Sequence, residues 1–214
     1  MSTAATTEGG RRQGAAFEVV DDCRHDLAAW IDWLGSQGYS RIGLVGHSLG
    51  AVKSIYALTH EAHPSVACIV ALSPPRLSYS HFCTSSDGQI FHDTYATAEQ
   101  LVRAGQAGSL MEVKTPLPFV VTAGGYVEKY GPVEQYNILK FISKLPCPML
   151  ITFGSIELEN NMAFRGLPEI LAPISAAHVN MQVEVVPEAD HFYTRVRAEV
   201  VQRVATWLEC LHSQ

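Results

Sequence analysis

The run Ile42-Gly43-Leu44-Val45-Gly46 is apolar and leads without a break into Gly46-His47-Ser48-Leu49-Gly50. The helix-favouring stretch Ala51-Val52-Lys53-Ser54-Ile55-Tyr56-Ala57-Leu58 follows at once. This is strand, G-x-S-x-G, helix, an order that forces a sharp and strained turn with the serine hydroxyl exposed at its tip. The two glycines let the strand and helix backbones approach closely around that turn. Without its flanks the five-residue match describes any small-residue turn; the strand before it and the helix after it make Ser48 the candidate nucleophile. The backbone N–H of Leu49 then points to where an oxyanion would form.

The rest of the chain supplies elements of the same kind. Leu27, Trp30, Ile31 and Leu34 recur at helical spacing between Asp22 and Gly38. Arg41–Gly46, Val66–Leu72, Pro148–Phe153 and Val183–Val186 read as buried strands, and Leu49–Ala62, Tyr95–Ala107, Pro132–Lys144, Leu167–Ala177 and Val196–Leu211 as helices. Residues 76–89 read as irregular, and Phe119–Val121 as a short strand or a lid segment. In the last helix Val200, Val201, Val204, Trp207 and Leu208 are predicted to face inward. Strands alternating with helices predict an α/β fold with a mostly parallel sheet covered on both faces. With 214 residues, 47% of them hydrophobic, the chain can build one sizeable core. A single domain is expected over 15–214, with a flexible lead over 1–14. Ligands of such sheets bind beyond the carboxyl ends of the strands, where Ser48 lies.

A serine hydroxyl needs a base to take its proton. Among nine histidines, His191 follows the last strand by a short loop, Pro187-Glu188-Ala189-Asp190, and precedes the last helix. A carboxylate should orient it and support the imidazolium that forms. In the chain order serine, acid, histidine, Glu157 stands three residues past Gly154 at the end of the third long strand. Glu159 is its near competitor, and Asp190 adjoins the base but is badly placed to face it. His47, inside the elbow, shapes the turn and is a candidate substrate contact.

At these residues the sequence resembles the α/β-hydrolase superfamily, and in particular its single-domain bacterial esterases. The resemblance runs from about Gly14 to the end. It rests on Gly46-His47-Ser48-Leu49-Gly50, on Pro148-Met149-Leu150-Ile151-Thr152-Phe153-Gly154 before Glu157, and on Asp190-His191-Phe192-Tyr193 before the closing helix. It implies a serine hydrolase acting on an ester or related acyl bond, with a Ser48–His191–Glu157 triad, an oxyanion hole at Leu49, and no metal or organic cofactor. Relatives more often carry Asp at the acid position. The resemblance also makes the long stretch of about 76–147 a lid or cap insert. Its aromatic residues, Tyr79 and Phe82 foremost, either line an acyl pocket for small to medium apolar or aromatic esters or form plain lid core. The same triad serves thioesterases, amidases and C–C bond hydrolases, and a binding protein can keep the fold without the activity.

One departure stands upstream. Relatives place three or four strands before the helix that precedes the elbow, and a loop there, often His-Gly-rich, supplies a second oxyanion N–H. Here only a short lead precedes that helix, and no His-Gly segment precedes Ser48. Either Gly9-Gly10 or a nearby backbone replaces the second donor, another chain supplies it, or activity is weak, and a bare sheet edge invites pairing with an identical subunit.

Composition narrows the partners. The formal charge is −6 and no basic cluster occurs, which argues against nucleic acid. No apolar run reaches the ~18 residues of a membrane span, and the first residues lack a basic-then-apolar leader, so a cytoplasmic location is expected. The five cysteines are scattered with no C-x-x-C, which indicates neither a zinc site nor a disulfide framework.

Overall fold

The computed structural model describes residues 7–8, 11–12, 14–178 and 180–212. Most of the expected flexible lead over 1–14 lies outside the described residues. Within it, β1 (Thr7–Glu8) and β2 (Arg11–Arg12) pair antiparallel. The chain divides into two compact units, one of residues 23–76 and 138–214 and one of residues 1–22 and 77–137.

The first unit carries the sheet. After α1 (Cys23–Ser36) come β3 (Ile42–His47), α2 (Leu49–His60) and β4 (Val66–Leu72). The chain returns to this unit for β7 (Met149–Gly154), α6 (Ser155–Asn160), α7 (Leu167–Ala177), β8 (Met181–Val186) and α8 (Arg197–His212). The four strands are all parallel, in the order β3-β4-β7-β8. Strands buried on both faces need continuous apolar runs rather than alternation. Accordingly Cys68 and Val70 of β4 and Leu150 of β7 pack against Trp207 of α8, and Ile69 and Ala71, which alternation turns to the other face, are buried too. Val186, Ala189, Tyr193 and Val200 form a second cluster where β8 leads into α8. Val201, expected to face inward, is instead exposed.

The second unit holds α3 (Tyr79–Cys83), α4 (Gly88–Arg103), the antiparallel pair β5 (Leu110–Val113) and β6 (Phe119–Thr122), and α5 (Ala123–Tyr130). The expected irregular stretch over 76–89 thus contains one helix and the start of another. Phe119–Val121 proves to be a hairpin strand, paired with residues that carried no periodic signal. The compact part of the expected insert ends at 137, and Ile138–Cys147 belong to the sheet unit.

Where a helix was expected over Pro132–Lys144 the chain makes only two 3-10 turns, Ile138–Lys140 and Ile142–Lys144. Glu134 adopts φ 51°, a left-handed conformation that no helix accommodates. Its carboxylate instead accepts hydrogen bonds from the Ser78 and Ser80 hydroxyls, the Ser80 N–H and the Asn137 amide, at 2.8–3.0 Å. Tertiary hydrogen bonds override the apolar spacing of Tyr136, Phe141 and Ile142, which are buried all the same.

Candidate active site

Ser48 sits between β3 and α2 with φ 56° and ψ −125°, a conformation that is strained for any residue with a Cβ. The surrounding backbone holds it there. The Ser48 N–H donates to the Leu72 carbonyl at 2.8 Å, and the Ser48 carbonyl accepts from the Ala51 N–H at 3.0 Å. A Cβ on Gly46 would lie 2.5 Å from the Gly50 carbonyl oxygen, so the crossing of strand and helix admits only glycine. Leu49 opens α2, where helix geometry leaves N–H groups without an intrahelical acceptor and gathers the positive end of the helix dipole.

His191 lies in the loop between β8 and α8. Its Nε2 is 3.0 Å from Ser48 Oγ, and its Nδ1 is 2.7 Å from Glu157 Oε2. A carboxylate only accepts, so Nδ1 carries the proton and Nε2 accepts from the serine hydroxyl. Glu157 is buried, at 4% exposure, on the first turn of α6. Its other oxygen, Oε1, accepts from the Gly154 N–H at 2.7 Å and from Ser73 Oγ at 2.5 Å. Glu159, two residues on, points roughly 200° away around the helix and is exposed. Asp190 folds back on its own loop and accepts the N–H groups of Phe192 and Thr194. The Thr194 N–H bond foremost holds its carboxyl below the ordinary range. The sequence put Glu157 first and left Glu159 as its near competitor; the geometry brings only Glu157 to His191.

His47 does more than shape the turn. Its Nε2–H donates to the His191 carbonyl at 2.6 Å, and its ring lies 4.8 Å from the His191 ring. Phe164 packs on His191 at 5.1 Å. Elbow and base loop are therefore tied together independently of the Ser48–His191 contact.

Three residues that the sequence had not singled out support Glu157. Ser73, fully buried at φ 49°, bonds to the hydroxyl of Tyr193 at 2.8 Å, and that hydroxyl lies 2.8 Å from Thr152 Oγ1. Since the carboxylate takes the Ser73 proton, Ser73 accepts from Tyr193 and Tyr193 from Thr152, a one-way chain of hydroxyls ending on Glu157. Burial pushes the Tyr193 phenol up to about 12, which keeps it a donor. The only sequence signals were the position of Ser73 just past the end of β4 and of Tyr193 two residues past His191; Thr152 lies inside β7.

The other two candidates lie in the second unit. Phe82 has no exposed surface and packs on Phe91 at 5.2 Å and Tyr130 at 6.1 Å, within that unit's own aromatic core. Tyr79 is partly exposed and packs on Tyr95 and Phe91 at 5.1 and 5.6 Å. Among the described residues, no group of three His, Cys, Asp or Glu side chains is arranged to hold a metal, and no helix is long and apolar enough to cross a membrane.

No family model matches the sequence, and no curated protein does. Solved structures do match in shape. An alpha/beta hydrolase, GrgF, from Penicillium sp. sh18 superposes with a TM-score of 0.65 at 12% identity, over 94% of this chain and 75% of that one. The monoacylglycerol lipase of Paleococcus ferrophilus gives 0.64 at 17% identity, over 94% and 79%. The monoglyceride lipase of Saccharomyces cerevisiae gives 0.63 at 15%, over 97% and 75%. The chain has the α/β-hydrolase fold.

Proposed function

We propose that this protein hydrolyses carboxylic esters through an acyl-enzyme intermediate. The observation that carries the reading is the unbroken hydrogen-bonded line from Ser48 Oγ through His191 to the buried Glu157, at 3.0 and 2.7 Å. Ser48 Oγ attacks the acyl carbon while its proton passes to His191 Nε2. The charge that develops on the carbonyl oxygen is met by the Leu49 N–H. The imidazolium, held by Glu157, gives the proton to the departing alkoxide and an alcohol leaves. Water then repeats the sequence on the acyl-serine: His191 takes its proton, the carboxylic acid leaves and Ser48 is restored. Glu157 orients the imidazole and supports its positive charge without taking the proton.

The preference for esters over thioesters, amides or C–C bonds draws on the esterases and lipases among the structural neighbours. A panel of p-nitrophenyl esters, acyl-thioesters, anilides and diketones tests it, and turnover confined to a class other than esters would overturn it. Ser48→Ala should lower ester turnover at least ~10³-fold and abolish labelling by a fluorophosphonate. A variant that hydrolyses at the wild-type rate would remove Ser48 from the mechanism.

A further inference from the structure

Ser73 leads out of β4, and the two residues after it, Pro74 and Pro75, have no N–H to give. The next backbone donor is Arg76, buried at 5% exposure. Its N–H donates to the Ala163 carbonyl at 2.8 Å, and its guanidinium Nη2–H donates to the Arg165 carbonyl at 2.7 Å. One residue thus holds the carbonyls of the residues on both sides of Phe164. Residues 161–166 connect α6, which carries Glu157, to α7. Asn161 closes the same turn. Its carbonyl accepts from the Phe164 and Arg165 N–H groups at 3.1 Å each, and its side-chain oxygen accepts from the Ala163 N–H at 2.8 Å. A guanidinium taken out of water is costly unless acceptors meet its N–H groups, so a buried arginine fixes the carbonyls it is aimed at.

This clamp presents the ring of Phe164. The side chain has no exposed surface, and its ring centroid lies 5.1 Å from that of His191 at an interplanar angle of 46°. Centroid separations of ~4.5–7 Å are contact distances for two rings. His47 and Phe192 also touch the imidazole, at 4.8 and 5.0 Å. His47 belongs to the elbow and Phe192 adjoins His191 in its own loop, whereas Phe164 comes from a third segment. The torsion that turns an imidazole about its Cβ–Cγ bond is broad, so rotamer preference alone does not fix the ring plane. Rotation about that bond would take His191 away from Ser48 and Glu157 together. Its two hydrogen bonds resist the rotation, and a ring packed against it resists independently.

We propose that Phe164, bracketed by Arg76, is a positioning residue for His191: its ring fixes the plane of the imidazole and keeps water from the Nδ1–Glu157 bond. His191 is the base in the function proposed above, and the role given to Phe164 rests on that reading. In each half of that reaction the imidazole takes a proton from one oxygen and delivers it to another, and each transfer needs the ring within a narrow range of orientation. A contact set during folding narrows that range at no cost during the reaction. The Glu157 side chain is 2% exposed and that of His191 20%. A smaller side chain at 164 would open space beside the imidazole, where water competes with Glu157 for the Nδ1 proton. Arg76 acts at one further remove, by holding the turn that carries Phe164. The same arginine follows Ser73, which donates to Glu157, so the supports of acid and base share one loop after β4.

Phe164→Leu keeps the site apolar, but its side chain ends short of the imidazole. It should lower kcat about tenfold with KM nearly unchanged, since misplacing a reacting group by ~1 Å costs up to ~10²-fold in rate. Arg76→Met keeps an apolar stem and removes the donors, and should act in the same direction. The double variant should be no slower than the slower single variant, because both act by one route. Low-field proton NMR reads the placement with no ester present. The His191 Nδ1–H held by Glu157 should give a sharp, far-downfield resonance in the wild type, broadened by exchange with water in each variant. Far-UV circular dichroism checks the fold, and Phe164→Leu decides alone if Arg76→Met does not fold. A folded Phe164→Leu protein with wild-type kcat and an equally sharp resonance would reduce Phe164 to core filling and overturn the proposal. Losses that multiply in the double variant would overturn the part given to Arg76. A wild type that turns over no ester would defeat the ester reading instead, and the resonance would still decide what holds His191.

Discussion

Glu157 is held from three sides: by His191 on Oε2, and by the Gly154 N–H and the Ser73 hydroxyl on Oε1. In the proposed mechanism this buried carboxylate is pre-aimed, so the cost of orienting it is met during folding rather than during the reaction. Glu157→Gln should lower kcat by about 10³–10⁴-fold, since an amide supports neither the correct tautomer nor the imidazolium. Glu159→Gln, on the exposed side of α6, should leave kcat within about twofold. Steady-state kinetics on one ester checks both, and the reverse pattern would move the acid to Glu159. Tyr193 acts at one remove, through Ser73. Tyr193→Phe should lower kcat by about tenfold with KM unchanged, and should cost ~1–3 kcal/mol of stability because the hydroxyls of Ser73 and Thr152 lose a buried partner. A KM effect with kcat intact would assign Tyr193 to substrate binding instead.

Elements meet in this protein where side chains are absent. At the elbow β3 and α2 touch backbone to backbone at Gly46, and β7 meets the loop after β8 at Gly154, where a Cβ would lie 2.3 Å from the Ala189 carbonyl oxygen. These two contacts set the positions of Ser48 and Glu157 respectively. Gly46→Ala should therefore destabilise the sheet unit by about 1–3 kcal/mol, the usual cost of overpacking, and should depress activity in the protein that remains folded. Gly35 is the control. It lies in α1 with nothing within 4 Å of a built Cβ, so Gly35→Ala should stabilise by about 0.5–1 kcal/mol. Urea melts of the two variants should shift in opposite directions, and a shared direction would count against this reading of the elbow.

At the scale of the whole molecule, two carboxylates in the second unit make its stability depend on pH in opposite senses. Burial works against ionisation of Glu134, but the hydrogen bonds from Ser80, Asn137 and Ser78 outweigh it and bring its carboxyl down to about 2. Its contribution is complete above the ordinary carboxyl range and fades as pH falls from there toward 2. Glu128, which accepts from the Tyr136 hydroxyl, is pushed up to about 7 by burial. Between its ordinary value and 7 the folded unit binds the extra proton, so this contribution falls as pH rises through that window. The unit should be most stable near pH 4.5. Glu128→Gln should flatten the decline between pH 4.5 and 7 and leave the acid limb in place, and thermal melts from pH 3 to 8 would reveal it. An unchanged alkaline limb would show that Glu128 is not the group responsible.

Local physics made much of this chain legible in its sequence. The elbow reads off directly because strand, tight turn and helix occupy consecutive residues, and only glycine fits the crossing at Gly46. Val66–Leu72 and Leu167–Ala177 read correctly because burial on both faces of a parallel strand, and helical periodicity, are properties of short windows. His191 and Glu157 were candidates from chain order, with Glu159 still open beside Glu157, since each follows a strand whose end the topology brings to the same rim. What the sequence left open depends on residues far apart. Pro132–Lys144 has helical spacing, yet the hydrogen bonds that Glu134 accepts from Ser78 and Ser80, more than fifty residues away, decide its path. Ser73, Thr152 and Tyr193 carry no common motif, and only the packing of the end of β4, the middle of β7 and the loop after β8 against one another puts their hydroxyls in one line.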